Sequence, residues 1–503
     1  MAITVMGITR KISKDCLINR YIGSLSIWMV ASASVFAGDW QFKPNFNLDE
    51  TYTDNVELTS LGKTSSFVTQ TIAGLEAEYN SNLASFQLSG TQVYALYSHN
   101  SALNDSFRTL STSGQYSFWR AGPALTFSAT IANINQNNAQ NGLADLISSD
   151  TIEQKTYSTG LQYNFGNSSY SVTSSVNYNL IRNEDNIGDS NGFTARFGSE
   201  NGSNARHIYW QLDGSYTKRD QQQSNNDGEN HSIEALFGAI TTWGFNPFIR
   251  YYDENVQGTG VNSNIDTTSS WGPGIRWLAT PHIIIDLSYN FVDDETISDN
   301  YIDTSIEWEP SARTSLTVGY SQRFFGDSYS LNFNHKIRRL TNSISYDESL
   351  EVFDRNSYRE IAPNVLELIE SDEFSLNKRF SWSSQLQLSR TSFSLAISAN
   401  ERKSLETDVV DDTLDANISV TRTNSQKSSV SLSAAFSNSI YDKNNPLGST
   451  QEDYYRTISA NFRKNLASSL SWNFTVRHVN RNSTVDRLSY NEVRAIINIT
   501  KEF

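Results

Sequence analysis

The sequence predicts an all-β fold: a transmembrane antiparallel β-barrel of about 24 strands, within a range of 22 to 26, in up-and-down order. Three observations carry this. Apolar and polar residues alternate with period two in segment after segment, tight turns alternate with long polar connections, and the chain stops on Phe503 at the end of one more alternating segment.

Composition supports a barrel over a soluble globule. Of 503 residues only 38% are hydrophobic, yet 12% are aromatic, with 24 Tyr, 26 Phe and 10 Trp, and the mean hydropathy is −0.47. Aliphatic residues are too few for a thick core, and aromatic residues too many for disorder. A barrel reconciles the two, because half of each strand faces lipid while the other half stays polar.

Arg10, Lys11, Lys14 and Arg20 precede an apolar run from Tyr21 to Phe36, and Val35-Phe36-Ala37 fits a cleavage site. Residues 1–37 are therefore predicted to be a cleaved secretory signal peptide, and 38–503 a single barrel domain in a Gram-negative outer membrane. The only cysteine, Cys16, falls in the removed part, so disulfide and thiol chemistry are not expected. Removing those four bases with Asp15 moves the formal charge from −15 to −18, which argues against a nucleic-acid partner. No later segment is apolar for long enough to form a membrane helix, so spanning falls to strands.

Taken in order, the first strand places Trp40, Phe42, Phe46 and Leu48 on one face. Leu75, Ala77 and Tyr79 follow; after Asn80-Ser-Asn82 the chain returns with Ala84, Phe86, Leu88, Tyr94 and Leu96 outward and Ser85, Gln87, Ser89 and Thr91 inward. Further outward rows are Leu125-Phe127-Ala129-Ile131, Tyr157-Leu161-Tyr163-Phe165, Ile208-Trp210-Leu212-Tyr216, Ile283-Ile285-Leu287-Tyr289-Phe291 and Leu316-Val318-Tyr320. The series continues through Val430-Leu432-Ala434-Phe436 and Leu470-Trp472-Phe474-Val476. Tight turns are predicted at 80–82, 120–123, 166–169, 280–282, 310–312, 338–340, 389–392 and 463–466. Long loops are predicted at 136–150, 183–191, 218–231, 254–266, 349–372, 401–413 and 442–453. Short turns on one side and long loops on the other are what outer-membrane barrels show, with the turns in the periplasm. Acids crowd the loops, as in Asp411-Asp412, while the turns favour Arg120, Arg313, Arg338, Arg339, Arg463 and Lys464. Loop acids that bridge lipopolysaccharide through divalent cations and a plainly solvated loop surface are both compatible with this pattern.

In hydrocarbon every backbone N–H and C=O needs a partner, so the strand at Trp40 should pair with Val493 to Phe503. In that last strand Val493, Ala495, Ile497, Ile499, Lys501 and Phe503 share one parity. Ile497, Ile499 and Phe503 thus form the kind of terminal signal that the barrel assembly machinery reads, and Lys501 sits near enough to the rim to snorkel.

Trp277-Leu-Ala-Thr-Pro281, Tyr320-Ser-Gln-Arg-Phe-Phe-Gly-Asp-Ser-Tyr329, His335-Lys-Ile-Arg338 and Glu50-Thr-Tyr-Thr-Asp-Asn-Val56 together resemble runs in the PEP-CTERM system-associated outer-membrane proteins, related to β-barrel porins of exopolysaccharide loci. The resemblance spans nearly the whole chain after the signal peptide. It implies a part in exopolysaccharide export beside exosortase-type sorting, with polysaccharide and periplasmic export proteins as partners besides outer-membrane lipid.

For catalysis, His99, His207, His231, His282, His335 and His478 lie on different segments with no metal-ligand spacing, and no Gly-x-Ser-x-Gly motif occurs. No enzyme activity and no cofactor or metal is expected. The inward faces hold more information. Ser171, Thr173, Ser175 and Asn177, Ser381, Ser383, Gln385 and Gln387, and Ser429, Ser431 and Ser433 offer hydroxyls and amides that suit sugar hydroxyls or simply water. Sparse inward charges, Arg250, Arg276, Asp286, Glu307, Arg323 on the fifteenth strand, Arg477 and Arg494, are candidates to brace the lumen or narrow it. A barrel of this size leaves an aqueous channel. Val365, Leu366, Leu368 and Ile369, at helix-like spacing in the longest loop, 349–372, form a candidate constriction. Three functions fit the sequence: a conduit or accessory protein for exopolysaccharide export, a general or selective diffusion porin, and a non-conducting structural barrel.

Overall fold

A computed structural model describes residues 38–503 apart from 140–145, 148–150, 222–226, 259–265, 294–298, 353–356, 363–364, 370–373, 406 and 445–449. The expected signal peptide, 1–37, and its Cys16 lie outside the described residues.

The strands are β1 (Asp39–Thr53), β2 (Ser66–Asn80), β3 (Ala84–Tyr97), β4 (Asp105–Ser117), β5 (Ala124–Asn135), β6 (Thr151–Gly166), β7 (Tyr170–Asn183), β8 (Ser190–Asn201) and β9 (Ile208–Gln221). They continue as β10 (Asp227–Ala239), β11 (Phe245–Gly258), β12 (Asp266–Thr280), β13 (Ile283–Val292), β14 (Tyr301–Ser311), β15 (Thr314–Arg323), β16 (Gly326–Ile337) and β17 (Leu340–Val352). A hairpin, β18 (Ser357–Ala362) and β19 (Val365–Ile369), precedes β20 (Phe374–Gln387), β21 (Thr391–Ser404), β22 (Val410–Ser425), β23 (Ser428–Lys443), β24 (Gln451–Ala467), β25 (Leu470–Ser483) and β26 (Tyr490–Glu502).

Twenty-four of these form one sheet, each strand antiparallel to its neighbour in sequence, with β17 joined to β20 across the hairpin. The sheet closes on itself: β1 pairs with β26, from Asn45↔Glu502 to Thr53↔Arg494. Closure is the expected solution for a sheet whose edges water cannot satisfy. It extends to the last residue, whose Phe503 N–H donates to the Pro44 carbonyl at 2.9 Å.

The predicted parity holds. Phe42, Leu75, Tyr94, Leu125, Ile418, Ile458, Val493 and Ile499 all stand exposed on the outer face. Aromatic belts edge this apolar band. Near the rim with the short turns lie Trp40, Trp119, Trp210, Trp243, Trp277, Trp308 and Trp472; toward the other rim lie Tyr52, Tyr94, Tyr178, Tyr216, Tyr251 and Tyr289. In β11 the belt residues Phe245 and Tyr251 are six residues apart, about 20 Å along a strand.

The connections differ from expectation in three ways. Most long loops are shorter than predicted, because strands run on past the lipid band: 218–231 contracts to 222–226 and 254–266 to 259–265. The turn predicted at 463–466 lies inside β24, and the chain reverses at Ser468-Ser469 instead. On the loop side β15 and β16 are joined by Phe324-Phe325 alone, closing Arg323↔Gly326; Gly326 takes a φ of 109°, open to glycine and strained for other residues.

The helix-like spacing in 349–372 gives way to the β18–β19 hairpin, registered from Ser357↔Ile369 to Ala362↔Val365 and separate from the barrel sheet. Five residues are too few for a stable helix, and a facing strand supplies the backbone partners that one helical turn cannot. The side chains of Val365, Leu366, Leu368 and Ile369 lie outside the described residues.

Candidate functional site

The predicted lumen charges and polar rows face inward, whereas Ile497, Ile499 and Phe503 of the terminal signal face outward; the lumen has two unlike halves. Next to the turns, the inward side chains of β3 and β20 are small, polar and solvated: Ser85, Gln87 and Ser89 and Ser381, Ser383, Gln385 and Gln387 are all exposed, whereas on β9 to β11 the same level is packed by buried Tyr209, Leu236 and Phe248. Hydroxyls pair across strands, Ser394 with Ser419 at 2.6 Å, Ser433 with Ser459 at 2.6 Å, Ser345 with Ser381 at 2.7 Å and Thr91 with Thr109 at 2.6 Å. Each hydroxyl in such a pair keeps capacity for one more partner in the lumen.

The register orders these groups. Lys336, Thr341, Gln385, Ser394, Ser419, Ser433, Ser459, Arg477 and Arg494 stand opposite one another in succession from β16 to β26. Because strands in a closed barrel are staggered, this row climbs. It leaves the turn rim at Lys336, two residues before the β16–β17 turn, and reaches the upper lumen at Arg477 and Arg494.

In the half next to the loops the inward side chains are buried. Arg250 on β11 is almost wholly enclosed; it binds Glu234 on β10 at 2.7 Å and Asp303 on β14 at 3.3 Å, and donates to the Tyr301 hydroxyl at 3.3 Å. Tyr301 shares a 2.8 Å bond with Ser270. Arg323 on β15 grips Glu254 on β11 through both carboxylate oxygens, and Tyr252 donates to Glu254 at 3.0 Å. Nearer the turns, Arg276 and Asp286 form a two-pronged pair at 2.8 and 2.7 Å, with Arg276 lying over the Tyr209 ring. These four predicted lumen charges therefore brace the wall. Arg494 pairs with Glu492 at 2.7 Å, and Glu492 accepts a bond from Thr53 at 2.5 Å. Glu307 is exposed, and Arg477 stands in register with Arg494.

Contacts between distant strands show that the loop-side mouth is pinched twice. β10 approaches β17 with six strands between them, and Val256 of β11 packs with Phe374, Phe324, Leu350 and Leu405. On the other flank the segment after β5 reaches β23, β24 and β25. Tyr441 donates to the Asn138 carbonyl at 3.2 Å, while Gln451 and Arg481 both donate to the Ala139 carbonyl, the latter at 2.8 Å. Arg481 is held by Asp453 at 2.7 Å, and Ala139 is fully buried. Counted through the seam, six strands separate β5 from β24, yet Ala139 is only four residues past Asn135, a reach of at most about 14 Å. The two walls must therefore close toward each other. Tyr97 likewise donates to the Ile147 carbonyl at 3.0 Å. Each pinch cuts off a lobe of six strands, β11–β16 or β25–β4. The first is filled by the Arg250 and Arg323 networks. The second is filled by two apolar clusters, Val56, Val68, Ala95 and Tyr97, and Tyr455, Val479 and Tyr490.

Sequence reasoning places Arg250, Arg276, Asp286 and Arg323 inside but misses the latch of Gln451, Asp453 and Arg481 on Ala139. Period two marks those side chains as inward; what they meet depends on the curvature of the wall. The histidines stay apart: His99 bonds Ser66, His231 bonds Asp253 and His335 bonds Thr314.

Closed hydrogen bonding around the ring, an apolar exterior and aromatic belts at both edges leave one environment for this surface. The fold is that of an outer-membrane β-barrel. By the rule that short turns face the periplasm, both termini lie there. No known family model and no curated protein matches the chain. Among solved structures it is similar to the siderophore receptor PirA of Acinetobacter baumannii, at 9% identity over 92% of this chain and 80% of that one, with TM-score 0.46. It is also similar to the copper transporter OprC, at 8% identity over 93% and 83% with TM-score 0.43. A third is OmpT, an outer membrane protein of Vibrio cholerae, at 9% over 93% and 98% with TM-score 0.32. At these scores the likenesses carry nothing about what the barrel moves or binds.

Proposed function

We propose that this barrel is an outer-membrane conduit, or accessory protein, for the export of an extracellular polysaccharide, in the exosortase/PEP-CTERM-type setting that its sequence resemblance implies. The observation that carries the reading is the asymmetry of the lumen. On the periplasmic side the wall of β3 and of β16 to β24 is solvated and lined with hydroxyls and amides, while the extracellular side is packed across both pinches. A diffusion porin needs a path that is open at rest, whereas an exporter is safest when its outer mouth opens only under a passing chain. Ser, Thr, Asn and Gln side chains exchange hydrogen bonds with sugar hydroxyls at little net cost, which lets a chain slide without being trapped.

The test is a deletion strain with the purified barrel in planar bilayers. Surface polysaccharide is expected to fall sharply on deletion, and the resting barrel to show no steady large conductance. Steady conductance together with unchanged surface polysaccharide establishes the porin instead. Absence of both effects leaves the structural barrel.

A further inference from the structure

On a chain with formal charge −15, the periplasmic ends of β15 to β25 are basic. The turns there carry Arg313, Arg338, Arg339, Arg390 and Lys427, all exposed. Residues 310–326, 328–346, 374–400, 416–441 and 454–485, which include these turns and the strand halves beside them on β15 to β25, contain no Asp or Glu; the β14 end beside Arg313 carries Glu307 and Glu309. Among the described residues none of the five bases enters an ion pair. On the loop side the pattern reverses, with Arg108–Glu153, Lys378–Glu401, Arg379–Glu351, Arg402–Asp411 and Lys443–Asp412 all paired. Unpaired like charges along one rim repel each other and add nothing to folding, so their sum is a field directed at an anion.

We propose that this arc is the entry site for a polyanionic glycan, one bearing carboxylate or phosphate groups, and that the climbing row of inward side chains is its track. The proposal rests on the export reading and deepens it by naming the substrate class. The row begins on the arc at Lys336, continues over uncharged hydroxyls and amides, and meets positive charge again at Arg477, in register with an Arg494 whose own charge Glu492 holds. Arg463, inward and exposed on β24, lies on the same wall. Phospholipid headgroups reach only the outward and turn residues, and the face of a docked protein stops at the rim; a linear chain meets the rim and the wall in sequence.

The experiment uses the refolded full barrel in zwitterionic detergent and two fluorescent probes of equal length, oligogalacturonate and a neutral dextran oligomer. Only oligogalacturonate should bind at low salt. Salt should weaken it steeply, and the quadruple variant Arg338→Glu, Arg339→Glu, Arg390→Glu, Lys427→Glu should weaken it about tenfold or more. Heat-modifiable gel mobility confirms that the variant is folded; if it is not, the corresponding four glutamine substitutions give the same readout with a smaller loss. Equal binding of both probes, or unchanged affinity in the folded variant, overturns the proposal. So does a variant that keeps oligogalacturonate but loses an acidic periplasmic protein or anionic phospholipid vesicles. If deletion abolishes surface polysaccharide while oligogalacturonate fails to bind, only the polyanion assignment falls; if deletion leaves surface polysaccharide intact, the export reading falls.

Discussion

Lys501 interrupts the apolar row of the final strand, and its surroundings explain why it is tolerated. Its ammonium group donates to the Ser469 hydroxyl at 2.6 Å in the β24–β25 turn and lies 5.5 Å from the Phe503 ring centre. The charge is thus carried back to the rim, as snorkelling requires. Deleting Phe503 is expected to cut the amount of inserted barrel severalfold, and Lys501→Tyr to leave it nearly unchanged; outer-membrane fractionation measures both. Glu254 behaves differently. It is buried, and its partner Arg323 comes from four strands away. Arg323→Ala leaves that carboxylate enclosed with no counter-charge and only the Tyr252 hydroxyl as donor, so a loss of about 3 kcal/mol is expected, seen as a lower temperature for the gel-mobility shift. A double change to Leu at both positions should recover part of it. The inward direction of both residues is legible from period two, but their meeting is not, since it depends on how sharply β11 to β15 curve.

At the scale of elements, alternation and turn chemistry give the strands and their order, and they fail where an element pairs outside the barrel. The spacing of Val365, Leu366, Leu368 and Ile369 reads as helical only while the partner strand 357–362 is unknown. The segment that the described structure draws across the mouth is 136–139, which has no apolar signal at all; backbone carbonyls of Asn138 and Ala139 do the binding. A carbonyl carries no sequence signature, so this contact could not be read in advance. Replacing Gln451 and Arg481 with Ala removes both donors to Ala139 and is expected to convert a silent barrel into one with frequent openings in a planar bilayer. Unchanged silence in a folded double variant would show that the β10–β17 pinch alone closes the mouth.

For the molecule as a whole, strand number, closure and the separation of turn and loop rims follow from the sequence because each depends on local pattern repeated many times. The two pinches do not, since they join strands separated by six others. This difference is physical: neighbours in a meander are fixed by short connections, whereas the cross-section of a wide ring is soft until side chains cross it. The same asymmetry has a consequence in optics. Trp40, Trp119, Trp210, Trp243, Trp277, Trp308 and Trp472 lie near one rim, while the opposite belt is drawn mostly from tyrosine. Excited selectively, these seven indoles outnumber Trp271, which faces Tyr251 in the opposite belt, and mid-strand Trp382, so in the native chain indole emission labels chiefly the inner leaflet. In vesicles with the barrel inserted in one direction, a soluble quencher should dim their emission strongly from the turn side and weakly from the loop side, reporting orientation without any added dye.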